Sequence, residues 1–489
     1  MSTAEPRPLS RTRRVRFRPY NVVFPARRQA PGHRRALMPS ADIRIALVHL
    51  GCARNLIDSE TILGRLGAQG YAVTGDVAQA DVAVLNTCSF IGPARAESER
   101  WIRDLLAAKR RRQLRGVVVV GCLPQKFRAD VERKFPQVDA FLGLSDYSNI
   151  ARVVEEVLKG RKVRDGAGGR AVQGQVEGPR WLQTPRSYAY MRPSNGCDHD
   201  CAFCIIPAIR GRQRSKPLEV AVAEAQSLVA QGVREIVLVA EDSTGYGTDF
   251  GPGGPRLPDL VEAMAAVEGL RWLRVMYAYP NAFPWRLAQV MRAWPNVVPY
   301  LDIPIQHIST PVLRRMRRGG SRDSVERTLL RLRQEVPGIT LRTTVLLGHP
   351  GEGVEEFEQL LQWLAEFRFE RLGAFAFSPE AGTPAGADPE RCSADEAQER
   401  VRRVLEQQAR IHAEHQRARV GRVVEVLVDG RERADALART QADAPEVDGL
   451  VRVADAAGTL TAGDLLSVRV TAAEGYDLRA EPCLSSAPA

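Results

Sequence analysis

Short apolar runs alternate with longer helix-forming stretches through most of the chain, and this alternation constrains the fold more than any other feature. In residues 43–158 the apolar runs are IRIALVHL, DVAVLNT and GVVVVG. From residue 187 onward the spacing is wider, and the six runs are SYAYMR, EIVLVA, WLRVMYA, PYLDIPI, ITLRTTVLLG and LGAFAF. Apolar runs between helices are typical of parallel sheets. We therefore predict an N-terminal parallel α/β domain followed by a full or partial (β/α) barrel.

The pattern changes after Gly421. The runs there are short, alternate with polar residues and are separated by turns that contain glycine: VVEVLVDG, LVRVADAAG and LLSVRVTAAEGYDL. This spacing predicts a small all-β barrel. Between the two α/β parts, residues 159–186 are rich in glycine and charge, which is typical of a linker. The predicted division is a disordered basic extension (1–40), an N-terminal domain (41–158), the linker (159–186), a barrel core (187–418) and a C-terminal domain (419–489).

The net charge of +11 comes mostly from the first 37 residues, which contain ten Arg and one Glu. Such a segment is compatible with a basic arm for RNA, with an organelle presequence, or with a disordered extension or a start codon assigned ahead of Met38; we favour the last two. No run of about 18 apolar residues occurs, so we predict no membrane span. With no secretory hydrophobic region after the extension, we expect a cytoplasmic protein whose eight cysteines bind metal or catalyse rather than form disulfides.

Three cysteines are crowded into the stretch NGCDHDCAFCIIPAIRG, residues 195–211: Cys197, Cys201 and Cys204. Four clustered cysteines would close a structural zinc site. Three thiolates can instead hold three irons of a cubane cluster and leave the fourth iron without a protein ligand. An incomplete zinc site is the alternative. Because the loop follows the run SYAYMR, we expect it at the C-terminal mouth of the barrel, where catalysis in this architecture takes place.

Cys197, Cys201 and Cys204, with Phe203 before the last of them, resemble the signature of the radical S-adenosylmethionine (SAM) superfamily. The resemblance implies a partial barrel of radical SAM type and a 4Fe–4S cluster whose open iron binds the amino and carboxylate groups of SAM. It also implies that an electron from the reduced cluster cleaves the sulfonium of SAM and generates a 5′-deoxyadenosyl radical.

Three further cysteines, Cys52, Cys88 and Cys122, each follow one of the N-terminal apolar runs. The C-terminal ends of parallel strands share the edge at which open α/β sheets bind ligands, so three thiols can converge there. A lone cysteine after a strand is usually a small buried residue, which is the alternative. If the three thiols converge, they predict a second cluster with one open iron. This second cluster would supply or hold sulfur, and the other cluster would make the radical.

The stretches HLGCARNLIDSE, NTCSFI and VVGCLPQ resemble the N-terminal domain of the methylthiotransferases, and the tail resembles their TRAM domain, a β-barrel substrate module. The barrel segments EDSTGYGTDFG, YLDIPIQHIS, LRTTVLLGHPGE and FAFSPEAGTPA are also similar to that family. The resemblance covers roughly residues 43–480. It implies two 4Fe–4S clusters, an auxiliary one on the N-terminal cysteines and a SAM-binding one in the barrel, with SAM as both methyl donor and radical source.

Other candidate residues follow strands of the barrel. Gly348 and Gly351 would suit a close approach of the backbone to SAM, although a plain turn explains these glycines equally well. Gln306, together with Asp302 and His307, is a candidate to face the cavity, and structural hydrogen bonding is the alternative for each.

The stretch RRMRRGG, residues 314–320, resembles a segment of the same family and is a candidate to contact SAM or substrate. A solvated basic helix end is the simpler interpretation. Cys392 and Cys483 receive no role.

Two branches of the family share this architecture. One modifies an aspartate β-carbon of the small-subunit ribosomal protein S-twelve, and the other modifies an adenosine in the tRNA anticodon loop. Residues 421–489 contain seven Lys and Arg against twelve Asp and Glu, a balance that repels a phosphate backbone and suits a basic protein. The motif DAPEVDG, Asp443 to Gly449, and the stretch TAAEGYDL resemble the protein-modifying branch. We therefore predict methylthiolation of S-twelve, with tRNA as the alternative.

The partners implied are S-twelve and a low-potential electron donor such as flavodoxin or ferredoxin, with no membrane and no direct nucleic-acid role; we expect a monomer. Two other classes remain as hypotheses. A radical SAM enzyme with different chemistry would not need the N-terminal cysteines. An RNA-binding protein with a zinc knuckle is the second, and the acidic tail argues against it.

Overall fold

The computed structural model describes residues 43–164 and 178–483. The predicted basic extension, the middle of the predicted linker and the last six residues therefore lie outside the described residues. Within the described part, the chain forms a parallel α/β domain, an open (β/α) barrel and a closed β-barrel, in the order that the sequence predicts.

The N-terminal domain is built on a five-stranded parallel sheet. Its strands are β1 (Arg44–His49), β2 (Ala72–Thr74), β3 (Val82–Thr87), β4 (Gly116–Gly121) and β5 (Ala140–Leu142), and they lie in the order β2-β1-β3-β4-β5. Its helices are α1 (Ala53–Ala68), α2 (Gly92–Arg110), α3 (Cys122–Lys134) and α4 (Ile150–Leu158). Every residue of β3 and β4 is buried, which is why both strands read as continuous apolar runs. The strands β2 and β5 escaped the sequence analysis because three residues carry too little pattern.

Six parallel strands form the sheet of the central domain. They are β6 (Tyr188–Met191), β9 (Glu235–Leu238), β10 (Trp272–Val275), β11 (Val297–Asp302), β12 (Thr340–Leu347) and β13 (Arg371–Ala376). A separate small hairpin consists of β7 (Ser194–Asn195) and β8 (Arg214–Ser215). The main sheet runs in the order β13-β12-β11-β10-β9-β6. Because β13 and β6 are its two edges, the barrel is partial, one of the two predicted alternatives.

Nine helices surround this sheet in the described part of the chain. They are α5 (Ile206–Arg210), α6 (Leu218–Ala230), α7 (Leu257–Ala265), α8 (Arg286–Ala293), α9 (Thr310–Arg315), α10 (Arg322–Glu335), α11 (Val354–Phe367), α12 (Pro384–Ala387) and α13 (Ala394–Arg417). Among the residues described, none of the helices is both long enough and apolar enough to cross a membrane.

The two faces of the central sheet have different partners. One face packs on the surrounding helices, with Leu273 and Leu301 in the largest apolar cluster. The opposite face carries Trp272 and Tyr300, which pack in one cluster with Leu427 of the C-terminal domain. The alternation of strand residues therefore joins the helices on one side and the C-terminal domain on the other.

The C-terminal domain is a closed barrel of five strands. They are β14 (Val423–Glu432), β15 (Asp435–Arg439), β16 (Val451–Ala454), β17 (Leu465–Glu474) and β18 (Asp477–Pro482), in the order β14-β15-β16-β18-β17 with β17 paired back to β14. Small residues such as Val428, Ala438 and Val468 fill its interior. The sequence analysis missed β15, whose five residues lack clear alternation. It also took β17 and β18 as a single run, although a turn at Gly475 separates them.

Residues 440–449, which we call the barrel loop, follow β15. They pack against the face of the central sheet that carries Trp272 and Tyr300, which we call its inner face. The carboxylate of Asp443 forms an ion pair with Arg371 and lies 3.7 Å from Arg419. The carboxylate of Asp448 accepts a hydrogen bond of 2.8 Å from the hydroxyl of Tyr300. Both carboxylates belong to the DAPEVDG motif, and both are almost fully buried. Part of the acidic charge counted for this domain therefore serves internal contacts.

Candidate active site

The three N-terminal cysteines, which we call the first trio, lie at one edge of their sheet. Cys52 follows β1, Cys88 follows β3, and Cys122 begins α3 immediately after β4. The register pairs His49 with Asn86 and Thr87 with Gly121. Because these strands are neighbours and end at the same level, their cysteines emerge side by side, as the sequence analysis expects.

Two glycines make this arrangement sterically feasible. Gly51 has φ of +106°, and a Cβ added there would lie 2.9 Å from the Cβ and 3.3 Å from the Sγ of Cys88. Gly121 has φ of +99°, and its added Cβ would lie 2.4 Å from Oδ1 of Asn86. Only glycine adopts such a backbone conformation without strain and leaves room for this approach.

The electrostatics of the first trio differ from one thiol to the next. Burial raises the pKa of Cys88, and it raises the pKa of Cys122 to about 12. Burial also acts to raise the pKa of Cys52, but Arg54 and Arg210 outweigh it, and the pKa of this thiol lies below its ordinary value. A metal cluster binds the thiolate form. The two guanidinium groups supply the positive charge that buried thiolates require.

The second trio, Cys197, Cys201 and Cys204, lies in the loop between β7 and α5. The amide of Cys197 donates to the carbonyl of Gly211 at 3.2 Å, and the amide of Cys204 donates to the carbonyl of Cys201 at 3.0 Å. Gly196 precedes this trio with φ of +80°, and an added Cβ would lie 2.3 Å from the carbonyl oxygen of Arg212. The loop is thus held by its own backbone.

Burial raises the pKa of two thiols of the second trio. It raises the pKa of Cys197 to about 12 and that of Cys204 to about 11. The charge of Arg54, which also acts on Cys52, acts on Cys204 in the opposite direction to burial. The positive charge of Arg54 therefore opposes the effect of burial at one thiol of each trio.

Buried ion pairs join the N-terminal domain to the central domain. Asp58 of α1 accepts hydrogen bonds from Arg192 at 2.9 Å and from Arg210 at 3.0 Å. Glu241 lies 3.5 Å from both Arg54 and Arg210. Three of these ion pairs cross the domain boundary, because Asp58 and Arg54 belong to α1 and their partners belong to the central domain; the pair of Glu241 with Arg210 lies within the central domain.

Each trio supplies three cysteine thiols, which is the number of protein ligands of a 4Fe–4S cluster with one open iron. No three His, Cys, Asp or Glu side chains among the described residues are placed to hold one ion. In a cubane each thiolate binds a different iron, so the three sulfurs stand apart on separate corners. All eight cysteines are free thiols. Each trio thus offers the ligands of a 4Fe–4S cluster and leaves one iron open to another molecule.

The glycines proposed for SAM binding have packing reasons of their own. Gly348 has φ of +77°, and its added Cβ would lie 2.6 Å from the Cβ of Ala397 and 2.9 Å from the Sγ of Cys392. Gly351 has φ of +86°, and its added Cβ would lie 2.3 Å from a side-chain carbon of Arg315. The cofactor role of both glycines stays a prediction.

The three polar candidates at the end of β11 and just after it differ in their contacts and burial. Asp302 is buried, and its Oδ1 accepts a 2.8 Å hydrogen bond from Arg342; burial raises its pKa. Gln306 has φ of +68° and forms a backbone bridge to β12. His307 is buried and accepts a hydrogen bond from the amide of Ser309, and burial lowers its pKa to about 3. Burial therefore favours the neutral form of His307, whose Nε2 has no hydrogen-bond partner among the described residues, and Gln306 pairs with β12 through its backbone.

Two arginines, to which the sequence analysis assigned no contact with a thiol, each lie against one cysteine of a trio. Arg210, six residues after Cys204, lies 3.9 Å from the sulfur of Cys122 through its Nη2. Arg318, within the predicted RRMRRGG segment, lies 3.7 Å from the sulfur of Cys201 through its Nη1. The segment is thus not wholly a solvated helix end. The sequence signal for Arg210 was its position inside the cysteine stretch, but which thiol it would contact depends on domain packing.

The two cysteines without a role lie outside the trios. The thiol of Cys392 packs near Gly348, and burial raises its pKa. The backbone amide of Cys483 donates to the carbonyl of Ser467 next to β18.

Three family models match the chain. The model of the radical SAM superfamily matches residues 191–364, the model of the uncharacterized protein family UPF0004 matches residues 44–143, and the TRAM domain model matches residues 420–483. The first trio lies in the second of these matches, and the second trio lies in the first.

Curated relatives match over almost the whole chain. The chain is 40% identical over 447 residues to ribosomal protein uS12 methylthiotransferase RimO of Geobacter sulfurreducens, covering 91% of this chain and 99% of the relative. It is 46% identical over 446 residues to the protein of the same name from an Anaeromyxobacter species, covering 90% and 93%.

Among solved structures, the fold is similar to the radical SAM methyltransferase TsrM from Kitasatospora setae, which was determined with cobalamin and a 4Fe–4S cluster. The TM-score is 0.53 at 16% identity, with 71% of this chain and 77% of that chain covered. At this identity the likeness concerns the fold alone.

Proposed function

The chain belongs to the family of ribosomal protein uS12 methylthiotransferases, and on that premise we propose that it is a radical SAM enzyme that methylthiolates an aspartate β-carbon of uS12. The enzyme uses SAM and 4Fe–4S clusters. The observation that carries the proposal is a contact across the domain interface: Arg210, six residues after Cys204 of the second trio, lies 3.9 Å from the sulfur of Cys122 in the first trio.

The six cysteines have separate roles in this proposal. The second trio would hold the cluster that binds SAM, and the first trio would hold the auxiliary cluster. When bound, the SAM-binding cluster would supply the electron that cleaves SAM, and the auxiliary cluster would supply or hold the sulfur that is transferred. Gly348, Gly351 and Gln306 stay the candidates for contact with SAM.

Buried contacts hold part of the site, and burial shields one thiol of each trio from water. Asp58 and Glu241 form buried ion pairs with Arg210, so these pairs hold the arginine that contacts Cys122 of the first trio. Cys122 and Cys201 are 8% and 7% exposed, and the other four cysteines of the trios are partly exposed. The barrel loop packs on the inner face of the central sheet. A reactive carbon radical requires a site that few stray hydrogen donors can enter, because C–H and S–H groups other than those of the substrate would consume it.

The partners follow from the same chemistry. A low-potential electron donor such as flavodoxin or ferredoxin is required to reduce the clusters, and a basic protein is the substrate. We place the reaction in the cytoplasm. We also propose the domain division 41–158, 187–418 and 419–489, with a linker at 159–186. The tRNA alternative is not favoured, because the relatives that match nearly end to end carry the name of the protein-modifying enzyme.

Mass spectrometry of uS12 and of tRNA from a strain that lacks this chain tests the function. We expect the methylthio mass to disappear from uS12 and to remain on tRNA. A plasmid copy of the wild-type gene should restore it, whereas copies that encode Cys88→Ala or Cys201→Ala should not. Loss of the modification from tRNA with uS12 unchanged would overturn the proposal.

A further inference from the structure

Each cysteine trio has one buried arginine against one of its thiols. Arg210 is 2% exposed, and its Nη2 lies 3.9 Å from the sulfur of Cys122. The same Nη2 also donates to Asp58 at 3.0 Å, while Nη1 donates to Asn195 at 3.1 Å and Nε lies 3.5 Å from Glu241. A guanidinium held from three sides cannot turn away from the sulfur without breaking buried ion pairs, which is costly.

Arg318 occupies the matching place at the second trio. It is 8% exposed, and its Nη1 lies 3.7 Å from the sulfur of Cys201. Its Nη2 donates to the carbonyl of Pro304, and its guanidinium stacks on the ring of Tyr279 with 4.2 Å to the ring centre. The carbonyl of Arg318 accepts hydrogen bonds from Tyr279 and Asn281. Backbone and aromatic contacts therefore hold this arginine.

The two arginines differ in how their charge is balanced. The charge of Arg210 is shared with the carboxylates of Asp58 and Glu241. Among the described residues, by contrast, Arg318 forms no ion pair within 4.0 Å, and its Nε is buried without a hydrogen-bond partner. The two contacts therefore have separate origins, and one arginine can be changed while the other is left in place.

We propose that Arg210 and Arg318 are positioning residues that each raise the reduction potential of one cluster, Arg210 through Cys122 and Arg318 through Cys201. The inference rests on the proposed function, because it assumes that the trios hold clusters. Reduction adds one electron, and thus one negative charge, to a cluster whose thiolates are already anionic. Hydrogen bonds to the sulfurs and nearby positive charge stabilise the reduced form and raise the potential.

Potentiometric titration followed by electron paramagnetic resonance tests the inference in the full-length chain. Substituting Cys197, Cys201 and Cys204 by Ala leaves only the auxiliary cluster, and substituting Cys52, Cys88 and Cys122 by Ala leaves only the SAM-binding cluster. In the first background, Arg210→Gln should shift the reduction equilibrium at least tenfold toward the oxidised form, which is about 59 mV for one electron. Arg318→Gln should do the same in the second background.

Each arginine variant, measured in the background that keeps the other cluster, serves as the control. Arg318→Gln should leave the auxiliary cluster unchanged, and Arg210→Gln should leave the SAM-binding cluster unchanged. If Arg210→Gln fails to load iron, Arg210→Lys decides the matter, because it keeps the charge, loses the shared hydrogen bonds and should give a smaller shift in the same direction. Unchanged potentials with full iron, or equal shifts of both clusters by either variant, would overturn the inference. Fewer than two clusters in the wild-type chain would instead overturn the proposed function.

Discussion

At the scale of single residues, the site depends on glycines as much as on cysteines. Gly51, Gly121 and Gly196 each precede a cysteine of a trio, each with a positive φ. In each case an added Cβ would collide with a neighbouring residue. The backbone turns sharply just before each of these thiols, so the side chain is directed by a turn that no other residue type tolerates.

Gly121→Ala should therefore destabilise the protein and remove the auxiliary cluster. An alanine with positive φ costs roughly 1–2 kcal/mol, and the contact of 2.4 Å with Asn86 adds to this cost. Gly70→Ala is the matched control, since Gly70 has φ of +86° with no atom within 4 Å of its added Cβ. Denaturant unfolding and iron content of both variants check the prediction. Equal destabilisation of the two variants would contradict it.

The iron content of cysteine variants separates the two sites. We expect about eight irons in the wild-type chain and about four in Cys88→Ala or Cys201→Ala, because the proposal assigns one 4Fe–4S cluster to each trio. Cys201→Ala should abolish SAM cleavage, and Cys88→Ala should retain some of it. Cys392→Ala, outside both trios, should keep about eight irons. If either trio variant lost all of its iron, the proposal of two independent clusters would be wrong.

The placement of Cys52, Cys88 and Cys122 at the ends of neighbouring strands could be predicted from the sequence. The contacts of the two arginines with thiols could not. Cys52, Cys88 and Cys122 follow strands, and parallel strands bring their ends together by a general rule. Arg210 contacts Cys122 across a domain boundary, and no periodicity or spacing encodes how two domains dock. Arg318 was noticed as part of a basic segment, but its burial against Cys201 depends on the fold of the central domain.

At the scale of elements, the barrel loop is the feature that the sequence did not disclose. In the sequence analysis, the motif DAPEVDG served as a resemblance to the protein-modifying branch, and its carboxylates were counted in the acidic balance that suits a basic partner. In the structure, Asp443 and Asp448 instead meet Arg371 and Tyr300 on the inner face of the central sheet. The strands themselves were largely predicted, since burial imposes a clear apolar pattern on them.

The charge of Asp443 should make stability depend on pH in a narrow acidic window. Burial acts to raise the pKa of Asp443, but Arg371 and Arg419 outweigh it and hold the pKa at about 2. A carboxyl whose folded pKa is depressed contributes stability above its unfolded pKa and loses it as pH falls through the folded value. The difference from the ordinary value of 3.8 corresponds to about 2 kcal/mol.

Denaturant unfolding between pH 5 and pH 2 checks this expectation against Asp443→Asn. The wild-type chain should lose about 2 kcal/mol more stability over this interval than the variant. Asp130→Asn serves as control, because the side chain of Asp130 is 66% exposed and its substitution should leave the pH profile as in the wild type. Parallel profiles for Asp443→Asn and the wild type would contradict the assignment of the buried ion pair.

At the scale of the whole molecule, the C-terminal domain covers an apolar face of the central sheet. Trp272 and Tyr300 of that face share one cluster with Leu427, and Arg439 joins Glu235 at 2.7 Å. A chain that ends at Gly421 should expose this face, because its covering residues are gone. We expect a lower Tm and stronger binding of an apolar dye by the shortened chain. An unchanged Tm would show that the C-terminal domain is a separate appendage.

The ion pairs of Asp58 with Arg192 and Arg210 also bear on how such a protein can change by recombination. A chimera that joined this N-terminal domain to the core of a distant homologue would leave a buried carboxylate or guanidinium without its counter-ion, which costs several kcal/mol. The two domains are therefore expected to be inherited together, and grafting one onto a foreign scaffold should succeed only when the acidic and basic partners are transplanted as a set.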